Sequence, residues 1–281
     1  MTPFPQNLHT HTVFGDGKNT PEEMVLGAIR AGCRSLGFSE HSPMPPEADP
    51  DGWTMDAARE DEYRREVLRL REAYRDRLEI FLGLELDPDS PAPMLPYDYL
   101  IGSSHGVWKD GCYLSADADP ESFVRGVREH FGGDYYAFAA ACFQREAAFV
   151  RQCGCQIVGH FDLVTKFNEG GRLFDESDPR YVRAALDALE TAMERDVIFE
   201  INTGAISRGY RTLPYPSAFL LRAICEKGGR ICITSDSHHA DTITCSFPEA
   251  AALAESCGFR EAWVLTTDGF QAVALQEYYK T

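Results

Sequence analysis

Short apolar runs alternate with amphipathic helical stretches along this chain, and nearly every apolar run ends in a histidine or a carboxylate. That alternation constrains the fold most. Strand–helix–strand units force parallel pairing, with the helices packed outside the sheet. The apolar runs are residues 5–10, then "SLGFSEH", "EIFLGLELD", "YLIGSSHGV", "QIVGHFDLV", "VIFEINTGA" and "RICITSDSHH". "NTPEEMVLGAIRAGC" reads as a helix with Asn19 or Thr20 at its cap and Pro21 in its first position. "MDAAREDEYRREVLRLREAYRD" reads as a long charged helix, and residues 120–152 as two helical pieces broken at Gly132-Gly133. "PRYVRAALDALETAMERD", "PYPSAFLLRAICEKGG" and "PEAAALAESCG" read as helices, and "EAWVLTTDG" as a last strand. The expectation is an α/β chain forming one domain over residues 1–281, as a barrel rather than an open sheet.

The strand ends carry the chemistry. In "NLHTHT", alternation puts His9 and His11 on one face of an extended segment, with Asp16 in the loop beyond. The following strands end in Glu40 and His41, in Glu85 and Asp87, in His105, in His160 and Asp162, in Glu200 and Asn202, and in Asp236 and His238. In a barrel these ends meet at one face. Seven of the eight histidines then converge there, counting His239, while His130 lies in a helix as a surface residue. Histidine and carboxylate ligands without cysteine suit Zn, Mn or Fe. About nine candidates exceed what one four-coordinate ion needs, so two or three ions with a bridging carboxylate are expected. Such a cluster suits hydrolysis of phosphate esters.

Composition narrows the partners. The net charge of −17 repels a phosphate backbone, so nucleic acid is not an expected partner. The His-x-His begins too early for a signal peptide to precede it, and no apolar run is long enough to cross a bilayer. A cytoplasmic protein without a membrane partner is expected. The nine cysteines, an odd number scattered through helices and strands, read as reduced and packed, the Cys153-x-Cys155 pair included.

The motifs "HTHT…GDG", "SEHS", "GLELD", "GSSHG", "GHFDL" and "SDSHH" resemble those of the polymerase-and-histidinol-phosphatase (PHP) superfamily. "NLHTHTVFGDG", "GHFDLVTKF", "EINTGAISRGYRTLPYPS" and "TSDSHHADTI" are similar to its histidinol-phosphate phosphatases. The resemblance spans almost the whole chain. It implies a distorted (β/α)7 barrel with three divalent metal ions at the C-terminal ends of the strands. Carried over motif by motif, His9, His11, Glu85 and Asp236 hold one ion; Glu85 bridges to a second, completed by His105 and His160; Asp16, His41 and His238 hold the third. Asp16 stands where some superfamily members have histidine, and its harder oxygen tilts that site from zinc toward manganese or iron.

The implied reaction is attack of a metal-bound hydroxide on a small phosphorylated substrate, L-histidinol phosphate, in histidine biosynthesis. Arg208 and Lys166, on loops over the same face, are the expected phosphate contacts, Arg208 through its planar fork. Asp16 and His238 are the candidates to relay the leaving-group proton. Glu200 and Asn202 point together and are expected behind the ligands. Asp87 reads as a turn cap, Glu40 and His239 as turned away, and Asp162 as orienting a histidine or touching substrate. Residues 43–56 and 167–177 are expected to wall the pocket. Another small phosphate, such as a nucleotide or sugar phosphate, is the alternative substrate. The charge argues against a nuclease, and the full ligand set against a non-catalytic binding module.

Overall fold

A computed structural model describes residues 5–93 and 95–279. Seven parallel strands form its centre: β1 (Gln6–Asn7), β2 (Ser35–Phe38), β3 (Glu79–Leu86), β4 (Tyr99–Gly102), β7 (Ile157–Val158), β8 (Ile198–Asn202) and β9 (Arg230–Thr234), neighbouring one another in that order. Between β4 and β7 the chain makes an antiparallel hairpin, β5 (Gly106–Lys109) and β6 (Cys112–Ser115). The first and last strands approach each other beyond their ends, where Thr10 bridges Ser237 in parallel, and the sheet curls into a nearly closed barrel. This is the expected distorted (β/α)7 barrel.

Local chemistry accounts for the helices. Thr20, not Asn19, caps α1 (Pro21–Arg30) in a full capping box with Glu23. Asp119 and Asp134 cap α3 (Pro120–His130) and α4 (Tyr135–Cys153) on either side of the Gly132-Gly133 break, where both glycines have positive φ. The charged helix α2 (Glu60–Tyr74) buries Tyr63, Val67 and Leu70 against the sheet. α5 (Pro179–Ala192), α7 (Ala218–Glu226) and α8 (Phe247–Ser256) pack with α4 around the largest core cluster, and a one-turn helix, α6 (Gly204–Ser207), follows β8. No helix among the described residues is long and apolar enough to cross a membrane.

The expected last strand is β10 (Glu261–Thr266), but it does not join the barrel. It pairs antiparallel with β11 (Gly269–Ala274). The hairpin covers the N-terminal end of the barrel: Gln6 exchanges two 2.7 Å hydrogen bonds with the Leu265 backbone, and Leu265 packs with Leu8, Phe81, Ile157 and Ile198. Tyr99 fills the interior, its hydroxyl donating to the carbonyls of Leu8 and Phe38, and Gly37 and Gly83 are without side chains where its ring lies. One end of the barrel is thus plugged, and the other is left for the strand-end residues.

Candidate metal centre

Six imidazoles and three carboxylates gather at the open end, Glu85 at the end of β3 and the others on the loops that leave the strands. His9 and His11 share a face, with ring centroids 5.1 Å apart. The extended segment carrying them is stitched to the loop after β9, His11 N–H to Ser237 O at 2.9 Å and Ser237 N–H to His9 O at 3.0 Å. Gly17 is required behind it: a Cβ there would lie 2.5 Å from the His11 carbonyl carbon. After β9, Asp236 takes a left-handed φ of 46°, a conformation aspartate tolerates better than most residues.

The atoms converge in three groups. Around the first, His9 Nε2 is 3.3 Å from Glu85 Oε2 and 3.7 Å from Asp236 Oδ1, and His11 Nε2 is 3.3 Å from Asp236 Oδ1. Around the second, the other Glu85 oxygen faces His105 Nε2 at 3.4 Å and His160 Nε2 at 3.1 Å. In the third, Asp16 Oδ1 is 3.0 Å from His238 Nε2 and 3.6 Å from His41 Nε2. His11 stacks with both His41 and His238, at 4.1 and 4.3 Å, and His41 Nδ1 is also 2.7 Å from Glu85 Oε2.

These atoms lack ordinary partners. His9 Nε2, both His11 nitrogens, His41 Nδ1, Glu85 Oε2 and Asp16 Oδ1 are buried without a hydrogen bond among the described residues. Buried polar atoms left this way are costly, and their convergence fits divalent cations with N and O ligands. The electrostatics agree. Burial pushes the Glu85 carboxyl up, yet His9, His41 and His105 hold it well below the usual range. Asp236 is likewise held low against burial, by Arg208 and His9. Burial, with the charges of His41 and His238, keeps His11 neutral, the form a metal binds.

Behind the candidate ligands stands a hydrogen-bonded layer. Glu200 accepts from His9 Nδ1 at 2.8 Å, the His160 backbone N–H at 2.7 Å, Asn202 Nδ2 at 2.7 Å and Thr234 Oγ1 at 2.8 Å. Glu200 and Asn202 therefore stand behind the candidate ligands, as alternation predicts. Asp87 caps its turn through the Asp89 N–H, and it also takes His105 Nδ1 at 3.2 Å, a role its "DPDS" context did not reveal. Asp162 neither orients a histidine nor reaches the cavity; it accepts the Ser217 N–H at 2.9 Å. Glu40 is turned away and buried, its carboxyl pushed up to about 8 by burial. His239 points to Asp241 at the rim and His130 to Asp110, so six histidines converge rather than seven.

A cavity of about 930 Å³ opens over the cluster. Arg208 lines it, donating from Nη2 to Asp236 Oδ2 and from Nη1 to the Asp236 carbonyl, both at 3.0 Å, with Nε unpartnered. Gly204 makes room for this pairing, since a Cβ there would lie 2.8 Å from Arg208 Nη2. Lys166 lines the cavity too, but is ion-paired to Asp117. Residues 43–56 supply wall as expected, through Glu47, Asp51 and Trp53; Asp49 pins that loop by accepting the Trp53 and Thr54 N–H groups. Residues 167–177 line none of it. The β5–β6 hairpin and α3 take their place, through residues such as Tyr113, Asp117 and Arg125. The signal for that hairpin was present in "WKDGCY": Asp110 and Gly111 both take positive φ, as a tight Asp-Gly turn demands.

The chain is similar to known proteins in sequence and in fold. Residues 7–204 match the family model described as the PHP domain. A Deinococcus radiodurans protein named "Probable histidinol-phosphatase" is 30% identical over 266 residues, covering 90% of this chain and 93% of that one. The histidinol-phosphatase of Bacillus subtilis is 27% identical over 256 residues, covering 84% and 94%. The crystal structure of histidinol phosphate phosphatase from Lactococcus lactis subsp. lactis, complexed with Zn, L-histidinol and phosphate, shares the fold: its TM-score is 0.67 at 20% identity, covering 95% of this chain and 98% of that one.

Proposed function

The chain belongs to the PHP domain family, and on that premise we propose that it is a metal-dependent phosphoric monoester hydrolase that converts L-histidinol phosphate to L-histidinol and phosphate, a step of histidine biosynthesis. The observation that carries this reading is the convergence of buried, unpartnered imidazole and carboxylate atoms at the foot of a cavity that also holds Arg208. The names of the Deinococcus and Bacillus relatives support the substrate, and so does the L-histidinol and phosphate in the Lactococcus structure.

In this reading three ions are held. His9, His11, Asp236 and one Glu85 oxygen take the first; the other Glu85 oxygen, His105 and His160 take the second; Asp16, His41 and His238 take the third. Zn, Mn or Fe each suits these donors. When bound, the ions polarise the phosphoryl oxygens and lower the pKa of water. Glu200 and Asp87 fix the His9 and His105 rings so that Nε2 faces inward. Arg208 is anchored by Asp236 and turns its remaining donor capacity to the phosphate. Lys166 contributes positive charge on the same wall. Asp16 faces the cavity 3.0 Å from His238 Nε2; against burial, that histidine holds it ionised, so its role is to take a proton from water and relay it to the departing alkoxide oxygen.

The test is phosphate release from L-histidinol phosphate beside a panel of nucleotide and sugar phosphates, with the enzyme reloaded in turn with Mn, Fe and Zn. L-histidinol phosphate is expected to lead in kcat/KM by a hundredfold or more, about 2.7 kcal/mol of discrimination. A different leader overturns the substrate assignment. No release with any metal overturns the hydrolase.

A further inference from the structure

All nine cysteines are unbonded, and two of them meet. Cys153 is the last residue of α4, and Cys155 lies just before β7. Between them Gly154 takes the left-handed conformation, φ 72° and ψ 19°, that turns the chain back at the helix end. A residue in that conformation holds the Cα atoms on its two sides about 5.5 Å apart, within the span of a disulfide. Both side chains run to one spot on the barrel wall, at the end of β4. A Cβ on Gly102 would lie 2.8 Å from Cys155 Sγ and 3.3 Å from Cys153 Sγ. The bare glycine leaves the dent in which the two sulfurs lie together.

The two thiols are not equivalent. Cys155 is buried, while Cys153 is half-buried beside the exposed Gly154. Hydrogen bonding from the Cys155 thiol draws the Cys153 thiol below its usual range, and Arg195 adds positive charge. Cys153 and burial push the Cys155 thiol up, so it keeps its proton. Elsewhere burial pushes up the thiols of Cys33, Cys142 and Cys232, and Cys225, near Cys257, is pushed up too. A thiol that ionises readily and reaches solvent, next to one that holds its proton, supplies a nucleophile and a resolving partner.

We propose that Cys153 and Cys155 form a reversible dithiol–disulfide couple that hydrogen peroxide closes. The Cys153 thiolate attacks one peroxide oxygen, the O–O bond breaks, hydroxide leaves, and Cys153 becomes a sulfenic acid. The Cys155 sulfur then attacks the Cys153 sulfur, and the hydroxyl group leaves as water with the Cys155 proton. Two electrons pass from the sulfurs to the peroxide. The couple lies outside the metal centre but borders its frame: the Gly102 carbonyl takes the Gly159 N–H at 2.9 Å, between the strands that lead to His105 and His160. The inference does not depend on the phosphatase reading.

The zinc-loaded protein suits the test, because zinc has no redox chemistry of its own. Trypsin cuts after Arg151 and Lys166, so the peptide of residues 152–166 carries these two cysteines and no other. The protein is treated with a small excess of hydrogen peroxide, alkylated, digested and weighed by mass spectrometry. That peptide is expected to lose two hydrogen atoms and its alkylation sites at least tenfold faster than any other cysteine peptide is oxidised. Dithiothreitol is expected to restore both thiols. Cys155→Ser is expected to leave Cys153 as a sulfenic acid that dimedone traps, and Cys153→Ser to leave the peptide unoxidised at the same dose. The wild-type protein serves alone if neither variant folds: its disulfide is expected to close at least threefold faster in the fold than in guanidinium chloride. Oxidation of residues 152–166 no faster than that of the other cysteine peptides would overturn the inference. So would a rate no faster in the fold than in the unfolded chain, or a disulfide from either residue to a third cysteine.

Discussion

His9 Nδ1 donates to Glu200 at 2.8 Å, while the other Glu200 oxygen takes the backbone N–H of His160 at 2.7 Å. One buried carboxylate on β8 thereby orients the imidazole of His9, after β1, and holds the backbone of His160, after β7. Substitution by glutamine keeps the shape and removes the charge. Glu200→Gln should weaken metal binding by about 10–100-fold, with kcat falling in parallel. Metal content after dialysis, read by plasma emission, checks this. Full metal retention at the wild-type level would place the orienting role elsewhere.

Arg208 divides its donors among Asp236, His238 Nδ1 at 2.9 Å and the cavity. Its Nη2 takes Asp236 Oδ2, while Oδ1 of the same carboxylate faces His9 and His11. Removing the guanidinium therefore leaves the metal-facing oxygen in place. Arg208→Ala should raise KM at least tenfold and change the metal content little. Loss of metal without a change in KM would move Arg208 from substrate binding to support of the ligands.

Gly83 lies in β3 against the Tyr99 ring, and a Cβ there would overlap the ring. The ring cannot move without breaking its hydroxyl bonds to Leu8 and Phe38. Gly83→Ala should destabilise the barrel by about 1–3 kcal/mol, the usual cost of overpacking. Urea unfolding of the holoenzyme reads this directly, and an unshifted midpoint would contradict it.

Glu146 on α4 is buried with neither carboxylate oxygen hydrogen-bonded, and burial pushes its carboxyl well above the usual range. The folded chain then keeps a proton that the unfolded chain releases above a pH of about 4.3. Its contribution to stability is full below that pH and is lost as pH rises toward the folded value. Glu146→Gln removes this slope. The melting temperature of the variant relative to wild type should climb between pH 5 and pH 8. A constant difference across that range would mean that Glu146 is ionised in the fold.

Much of this was legible in the chain itself. The barrel strands announce themselves because parallel strands buried on both faces read as continuous apolar runs, as "EIFLGLEL" does. The candidate ligands were legible because they sit at or just past the ends of six of the seven barrel strands, so six local patterns point to one place. What escaped had no local signature. Asp117 sits in "SADADP" among other acids, and only the β5–β6 hairpin turns it toward Lys166. "EAWVLTTDG" has the pattern of a strand, but nothing local says that it pairs with β11 rather than joining the barrel, and the plug it forms depends on contacts with Gln6, more than 250 residues away. The exclusion of residues 167–177 from the cavity is a tertiary outcome: Asn168 folds that loop onto itself, accepting the Leu173 and Phe174 N–H groups.

The most direct test of the proposed centre is a crystal of the metal-loaded protein, with anomalous scattering collected at the Mn, Fe and Zn edges. Three ions are predicted at the strand ends, the first among His9, His11, Glu85 and Asp236, the second among Glu85, His105 and His160, and the third among Asp16, His41 and His238, with both Glu85 oxygens engaged. A single ion, or ions that leave Asp16 and His238 unliganded, would contradict the account.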